Sequence, residues 1–356
     1  MIAVLTDVHF GCRGDSAIFH DYMEEFFKTE FFPTLKEKSI KTVICLGDLF
    51  DVRKTVSLYT LSRVKSYFFD VMRDEGIEFL TLAGNHDVYF KNDNAINSPS
   101  LLLSEYKNVR VVSGAPEQIT IDGEVISFVP WINNSNLQST LDYINNDTST
   151  VCFAHLELKG FMYQAGVLAT HGMSSGVFEN YACVLTGHYH SKSSVNNVHY
   201  LGSPFEMTWA DANECKYWHL FDCKTHALTP IKTAGKMFCK LTYDDGVNDF
   251  ETAIAEYNFS ALTKKYVKVM VECKSNPVLF DGVINKISEA SPQDLSIVDN
   301  TVFGETESGM PDGEILTQTT NSILKGAADS ISVPGIDTGV LYDKLMEVYT
   351  EASAIC

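Results

Sequence analysis

Residues 83–90 read AGNHDVYF, directly after the apolar run IEFLTLA at 77–83. The run predicts a strand, closed by a glycine, a carboxamide, an imidazole and a carboxylate in succession. A turn needs only one residue of that kind. The pattern recurs along the chain: TDVHFG at 6–11, LGDLFD at 46–51, FAHLE at 153–157 and TGHYH at 186–190 each follow an apolar run.

Strand-like runs fall near residues 2–6, 42–46, 78–82, 109–113, 125–129, 150–154, 182–186 and 197–201. Two helical patterns separate the early ones: DSAIFHDYMEEFFKTEFFPTLKEK, capped by Asp15 or Ser16, and TVSLYTLSRVKSYFFDVMRDEG, from Thr55 to Gly76. Such alternation builds a mixed sheet with helices on its faces. After Gly123 the strands crowd as in hairpins, which predicts a second sheet packed on the first. The expected fold class is α/β (α+β), a four-layer αββα sandwich over residues 1–234.

Near Gly235 the pattern restarts as a small α+β unit, expected over 235–292. MFCKLTYD and YVKVMVEC read as its strands, DFETAIAEYN and NPVLFDGVINKISEA as its helices. The segment TVFGETESGMPDGE is acidic and poor in apolar residues, so 293–314 is expected to be a linker. Two short amphipathic helices are expected within 315–356, at 315–331 and 337–352, with Leu341, Leu345, Val348 and Tyr349 on one face of the second.

Of 356 residues, 45% are hydrophobic, enough for a large core. No uncharged stretch approaches the ~20 apolar residues of a membrane helix, and no signal peptide is read at the N-terminus. Nine cysteines without a CxxC pair suit reduced thiols and a cytoplasmic protein. The net charge of -19 argues against holding nucleic acid by bulk charge. Residues 281–356 carry 13 acidic and 3 basic residues, so a net of -10 lies in the last fifth of the chain.

In a sheet with helical crossovers, the carboxyl ends of the strands converge on one crevice. Asp7, His9, Asp48, Asn85, His86, His155, His188 and His190 are thereby candidates to meet. Imidazole, carboxylate and carboxamide donors without thiolate suit first-row divalent metals, and the set is too large for one ion. A two-metal centre clamps both oxygens of an in-line displacement at phosphorus and lowers the pKa of bound water toward ~7. Gly47, Gly84 and Gly187 each precede a candidate ligand and leave room for a close turn. Each motif also has an ordinary reading: a lone DxH is commonly a turn with a solvated histidine, and a lone GD says less. GNHD is the least ordinary, and the order and spacing of all five favour the metal reading. His20, His171, His199, His219 and His226 lie outside the motifs and are read as surface or satisfied core residues.

The ordered set DxH, GD, GNHD, H and GHxH resembles the calcineurin-like metallophosphoesterase superfamily over roughly residues 1–205. GDLFD followed by VRK, VPW at 129–131, HLELKG at 155–160 and YLGSPFEMTWAD at 200–211 narrow the resemblance to SbcD-type recombination and repair nuclease subunits, in the short version of large tailed phages. It implies that Asp7, His9, Asp48 and His190 hold one metal and that Asp48, Asn85, His155 and His188 hold the other, with Asp48 as the bridge. His86 would touch the scissile phosphate or protonate the leaving sugar oxygen, with Asp87 orienting its ring. One departure is Asp51, where cellular relatives often carry histidine.

The resemblance further implies a DNA exonuclease and endonuclease dependent on two divalent ions, most expectedly Mn²⁺, with Mg²⁺ as the alternative. Residues 235–292 would be a capping domain that steers DNA. The C-terminal hairpin would grip the coiled-coil base of an SMC-like (SbcC-type) ATPase, and the helices at 55–75 and 99–106 would form a homodimer. Arg13, Arg53, Lys54 and Lys91 are candidate DNA contacts, each equally readable as a solvated surface cation. Two rival readings remain: a phosphatase or cyclic-nucleotide phosphodiesterase with the same centre, and a non-catalytic scaffold with the same fold.

Overall fold

A computed structural model describes residues 1–303, 338–342, 344 and 345. The chain divides into two compact units, Met1–Asn300 and Thr301–Cys356.

All eight apolar runs form strands, organised into two six-stranded sheets within the first unit. Edge to edge, the first sheet runs Leu228–Lys232, Tyr217–Phe221, Ile2–Leu5, Thr42–Cys45, Glu78–Leu82 and Val109–Val112. Its last four strands are parallel. The second sheet runs Ser193–Val195, Val198–Tyr200, Cys183–Gly187, Val151–His155, Glu124–Val129 and Glu117–Ile121.

The period-two alternation of side chains sorts each strand between two cores. Ala3, Leu5, Val43 and Cys45 pack with Phe19, Phe27, Phe31, Phe68 and Phe69 of the two long helical segments. Ile2, Val4, Ile44 and Leu82 face the other way, onto Ile126, Phe128, Val151 and Phe153 of the second sheet. The second sheet's far side, with Cys152, Ala154 and Val184, is covered by Ile144 of the helix Leu137–Asn146 and by Phe178. Helix, sheet, sheet and helix thus form four layers, as the sequence predicts.

The first long helix runs from Ala17 to Glu37 through a π-helical stretch at Phe27–Phe31. The second runs from Leu58 to Asp74, also with a π-helical stretch, and Ser57 caps it by accepting from Thr60 N. Neither Asp15 nor Ser16 makes a cap bond; Asp15 Oδ1 instead accepts from the Thr60 hydroxyl at 2.5 Å. That hydroxyl also binds His20, which is buried and satisfied, whereas buried His219 keeps an unpartnered Nε2.

The small unit is a parallel three-stranded sheet of Phe238–Asp244, Tyr266–Cys273 and Asp294–Asp299, with the helices Phe250–Glu256 and Pro277–Glu289 packed on it. The third strand corrects the expected boundary at 292, because it lies inside the stretch read as linker. It is an edge strand of mixed composition, DLSIVD, in which Leu295 packs onto the core while Ile297 stays exposed, so its apolar signal is weak. The unit is tied to the sandwich: Glu206 Oε2 accepts from Met237 N at 2.8 Å and Phe238 N at 3.0 Å. In the second unit, residues 338–342, 344 and 345 are helical, with Leu341 and Leu345 half-buried. Val348, Tyr349 and the expected helix at 315–331 lie outside the described residues.

Candidate metal centre

The first strands end in turns that hold one another. Asp7 N donates to Gly47 O at 3.0 Å, His9 N to Asp48 O at 3.1 Å and Phe10 N to Leu49 O at 2.9 Å. Asp7, His9, Asp48 and His188 have left-handed backbone, with φ of 50°, 50°, 52° and 96°. Each such non-glycine residue costs ~1–3 kcal/mol, and strain of this kind collects at functional sites. Gly84 and Gly187 answer a different need, close approach. A Cβ on Gly84 would collide with the Asp48 carboxylate, and one on Gly187 with Thr6 Oγ1 and Asp7 Oδ2.

The resulting side chains form two clusters that meet at Asp48. In the first, His9 Nε2 lies 3.1 Å from His190 Nε2 and 4.0 Å from Asp7 Oδ1, and His190 Nε2 lies 4.0 Å from Asp7 Oδ1. In the second, Asn85 Oδ1 lies 3.0 Å from His155 Nε2 and 2.7 Å from His188 Nδ1. Asp48 Oδ2 stands 3.7 Å from His9 Nε2 and 3.5 Å from His155 Nε2, between the two. His188 N donates to the Asp7 carboxylate and so joins the last motif to the first.

Donor and acceptor roles test whether metal ions fit. A carbonyl only accepts, so His155 Nδ1 must donate to Leu46 O, 2.8 Å away. In the neutral ring Nε2 is then a lone pair aimed at Asn85 Oδ1, a second acceptor. Acceptors that converge in this way fit a cation, and the nitrogen–oxygen set without sulfur fits manganese, iron or zinc.

The surrounding charges set how tightly each ring holds its protons. Burial opposes charging His9 and His155. For His9 the neighbouring Asp51, Asp48 and Asp7 outweigh it, and for His155 chiefly Asp48, so each is held up to about 9. Burial and the charge on His155 push His188 down to about 3, and burial also lowers His190. Asp48, although buried, stays well below the usual carboxylate range because His155 and His9 face it. Below about 9 these two rings hold a second proton, so that His155 Nε2 donates to Asn85 Oδ1 until that proton leaves, and an ion bound by either ring would have to displace it. Mn²⁺ affinity is expected to rise with pH by up to about tenfold per unit for each proton released, levelling above about 9. Calorimetric titration in buffers of different ionisation enthalpy measures those protons, and a pH-independent affinity would exclude His9 and His155 as ligands.

His86 stands beside this set without entering either cluster, its ring 4.8 Å from that of His9. Its Nδ1 donates to the Asp51 carbonyl at 2.5 Å, which leaves Nε2 free, and its backbone N donates to Asp48 Oδ1 at 2.8 Å. The Asp51 side chain serves the neighbouring imidazole, with Oδ1 3.2 Å from His9 Nδ1. One residue thus fixes the His86 ring through its carbonyl and sets a charge beside His9 through its carboxylate, a role the sequence reading missed because it noted only the histidine that Asp51 replaces.

Asp87 does not orient His86, which corrects the expected role. Its carboxylate is fully buried and accepts from Gly84 N at 2.9 Å, Leu49 N at 3.1 Å and Phe50 N at 3.1 Å. Burial and the Asp48 charge hold this carboxyl up to about 7, against the pull of those three donors. Asp87 locks the GNHD turn to the GDLF turn. Asp87→Ala would strand three buried N–H groups at ~1–3 kcal/mol each, so a stability loss of roughly 3 kcal/mol or more is expected. An unchanged denaturation midpoint would contradict it.

Lys216 is a second residue the sequence did not mark. It is buried, and its Nζ donates to His190 O at 3.0 Å, Asp211 Oδ1 at 2.5 Å and Glu214 Oε2 at 2.7 Å, which fixes the backbone of a candidate ligand. Among the candidate DNA contacts, Arg13 lies over the Tyr266 and Phe238 rings of the small unit, at 5.4 and 6.0 Å. Lys54 lies over Tyr89 at 5.8 Å, Arg53 keeps a buried, unpartnered Nη1 beside it, and Lys91 is exposed.

The calcineurin-like phosphoesterase profile matches residues 1–221, the stretch that carries all five motifs. The chain belongs to the calcineurin-like phosphoesterase family. This phosphoesterase is 27% identical over 350 residues to exonuclease subunit 1 of Enterobacteria phage T4, an alignment that covers 98% of each chain. Among solved structures, a novel archaeal phosphodiesterase superposes with a TM-score of 0.33 at 13% identity, over 65% of this chain and 98% of that one. Among the described residues no helix is long and apolar enough to cross a membrane, and eight cysteines are free thiols.

Proposed function

We propose that this phosphoesterase is the nuclease subunit of an ATPase–nuclease complex in DNA recombination, repair and replication, working in a bacterial cytoplasm. It hydrolyses DNA phosphodiester bonds, as an exonuclease on double-stranded ends and an endonuclease on single strands or hairpins. The observation that carries the reading is the pair of clusters sharing Asp48, with the free Nε2 of His86 beside them. Full-length similarity to a phage exonuclease subunit supports both the DNA substrate and the partner.

Asp7, His9, Asp48 and His190 would hold one divalent ion, and Asp48, Asn85, His155 and His188 the other, with Mn²⁺ preferred over Mg²⁺ by the nitrogen-rich donors. The ions, when bound, supply charge neutralisation at the phosphodiester. His86 delivers a proton from Nε2 to the leaving sugar oxygen, while its Nδ1–H, committed to Asp51, keeps the ring aimed. Asp87 keeps the turn rigid. The small unit steers DNA, with Arg13 at its junction, and Arg53, Lys54 and Lys91 supply cations for the backbone.

Homodimerisation is proposed through the start of the helix Leu58–Asp74 and the helix Ser98–Leu102, where Leu58 is 85% and Leu101 65% exposed. The acidic C-terminal stretch, through Leu341, Leu345, Val348 and Tyr349, docks an SMC-like (SbcC-type) ATPase. The test is Mn²⁺-dependent cleavage of linear duplex DNA, with and without the ATPase, by the full chain and by a chain ending at residue 307. Both chains should cleave alone, and only the full chain should respond to the ATPase. A preparation that hydrolyses a small phosphomonoester but no DNA would refute the nuclease reading.

A further inference from the structure

Trp131 stands at the edge of the metal centre, its ring 5.2 Å from that of His188 and 5.9 Å from that of His155. Its backbone is clamped. Trp131 N donates to Ala83 O at 2.9 Å, and its carbonyl accepts from Asn94 Nδ2 at 2.8 Å and Asn136 Nδ2 at 3.0 Å. The half-buried indole also walls a cavity of about 230 Å³, together with Ile132, Leu137, Leu156 and Met173, with Asn134 and Glu157 among its polar lining.

Trp131 and Leu156, the neighbour of His155, bring the wall of this cavity next to the metal centre. Its volume has room for one heterocycle. Aromatic faces hold unpaired bases by stacking without regard to sequence, which suits an enzyme that must work on any DNA. The rigid backbone matters here because a platform that moved would lose part of the stacking to ordering.

Resting on the nuclease reading, we propose that Trp131 and the cavity it walls bind the nucleobase adjoining the scissile phosphate. The enzyme then takes its substrate as an unpaired nucleotide at the point of cleavage. The competing role is shielding, in which the indole only keeps water from His155 and His188.

Two esters with the same leaving group separate these roles: thymidine 5′-(p-nitrophenyl phosphate), which carries a base, and methyl p-nitrophenyl phosphate, which does not. Wild type should prefer the nucleotidyl ester. Trp131→Ala should lower the ratio of kcat/KM for the two by roughly tenfold or more, mainly through KM, the scale of one lost base–aromatic stack. Manganese content by elemental analysis should hold, and Trp131→Phe should recover most of the ratio. A parallel fall on both esters, or loss of manganese, would make Trp131 a shield and overturn the base pocket. Equal kcat/KM on the two esters by wild type would also overturn the pocket while leaving the phosphodiesterase intact. A wild type that hydrolyses neither ester sinks both.

Discussion

Asp48→Ala is expected to leave the folded protein without either ion. Asp48 Oδ2 is the one carboxylate oxygen within 4 Å of both His9 Nε2 and His155 Nε2 among the described residues. Its removal therefore subtracts a negative charge from two positions at once. Outer-shell changes cost metal sites 10–100-fold in affinity, and loss of a shared ligand should exceed roughly 100-fold at each. Turnover should fall to background with it. The backbone of His86 also loses its acceptor, Asp48 Oδ1, so Asp48→Asn, which keeps an acceptor there, is the informative companion. It should fold like wild type and still bind manganese poorly. Elemental analysis after gel filtration decides the matter, and retention of even one ion by Asp48→Ala would show that Asp48 is no bridge.

His86→Ala should do the reverse, keeping both ions while losing most nuclease activity. The imidazole lies edge-on to that of His9, and its Nδ1 is committed to the Asp51 carbonyl rather than to Asp48 or Asn85. General acid catalysis is typically worth ~10²–10⁴ in rate, so a fall of that size in kcat on linear DNA is expected with little change in manganese content. A substrate with a good leaving group, such as p-nitrophenolate, needs less protonation and should lose much less. Full turnover on DNA by the variant, or an equal loss on both substrates, would remove His86 from the acid role.

Much of this architecture was legible in the chain because the apolar runs are long and their closing residues unusual. Ile2, Val4 and Ile44 alternate with Ala3, Leu5 and Val43, and the two cores follow directly. The clusters were legible for a related reason: each candidate ligand closes an apolar strand, and the strand ends of the two packed sheets meet at one edge of the sandwich. The strands Tyr217–Phe221 and Leu228–Lys232 were not legible. The first carries His219 in its middle, and the second holds Pro230, tolerable only because that strand is an edge. Asp294–Asp299 hid for want of apolar residues. The role of Asp87 was misread and those of Asp51 and Lys216 were missed because the contacts that decide them, with Leu49 N and Phe50 N, with the His86 ring and with His190 O, join backbone atoms to groups distant in sequence. GNHD names its donors but not their acceptors.

The left-handed backbone at Asp7, His9, Asp48 and His188 has an evolutionary consequence. Each is a place where glycine would relax the chain and where, on the proposed ligand set, a coordinating side chain keeps something larger. A lineage that stopped cleaving DNA would drift toward glycine at these four places and grow sturdier as it did so. Their present occupants act as a tally of use, kept in the torsion angles of the main chain.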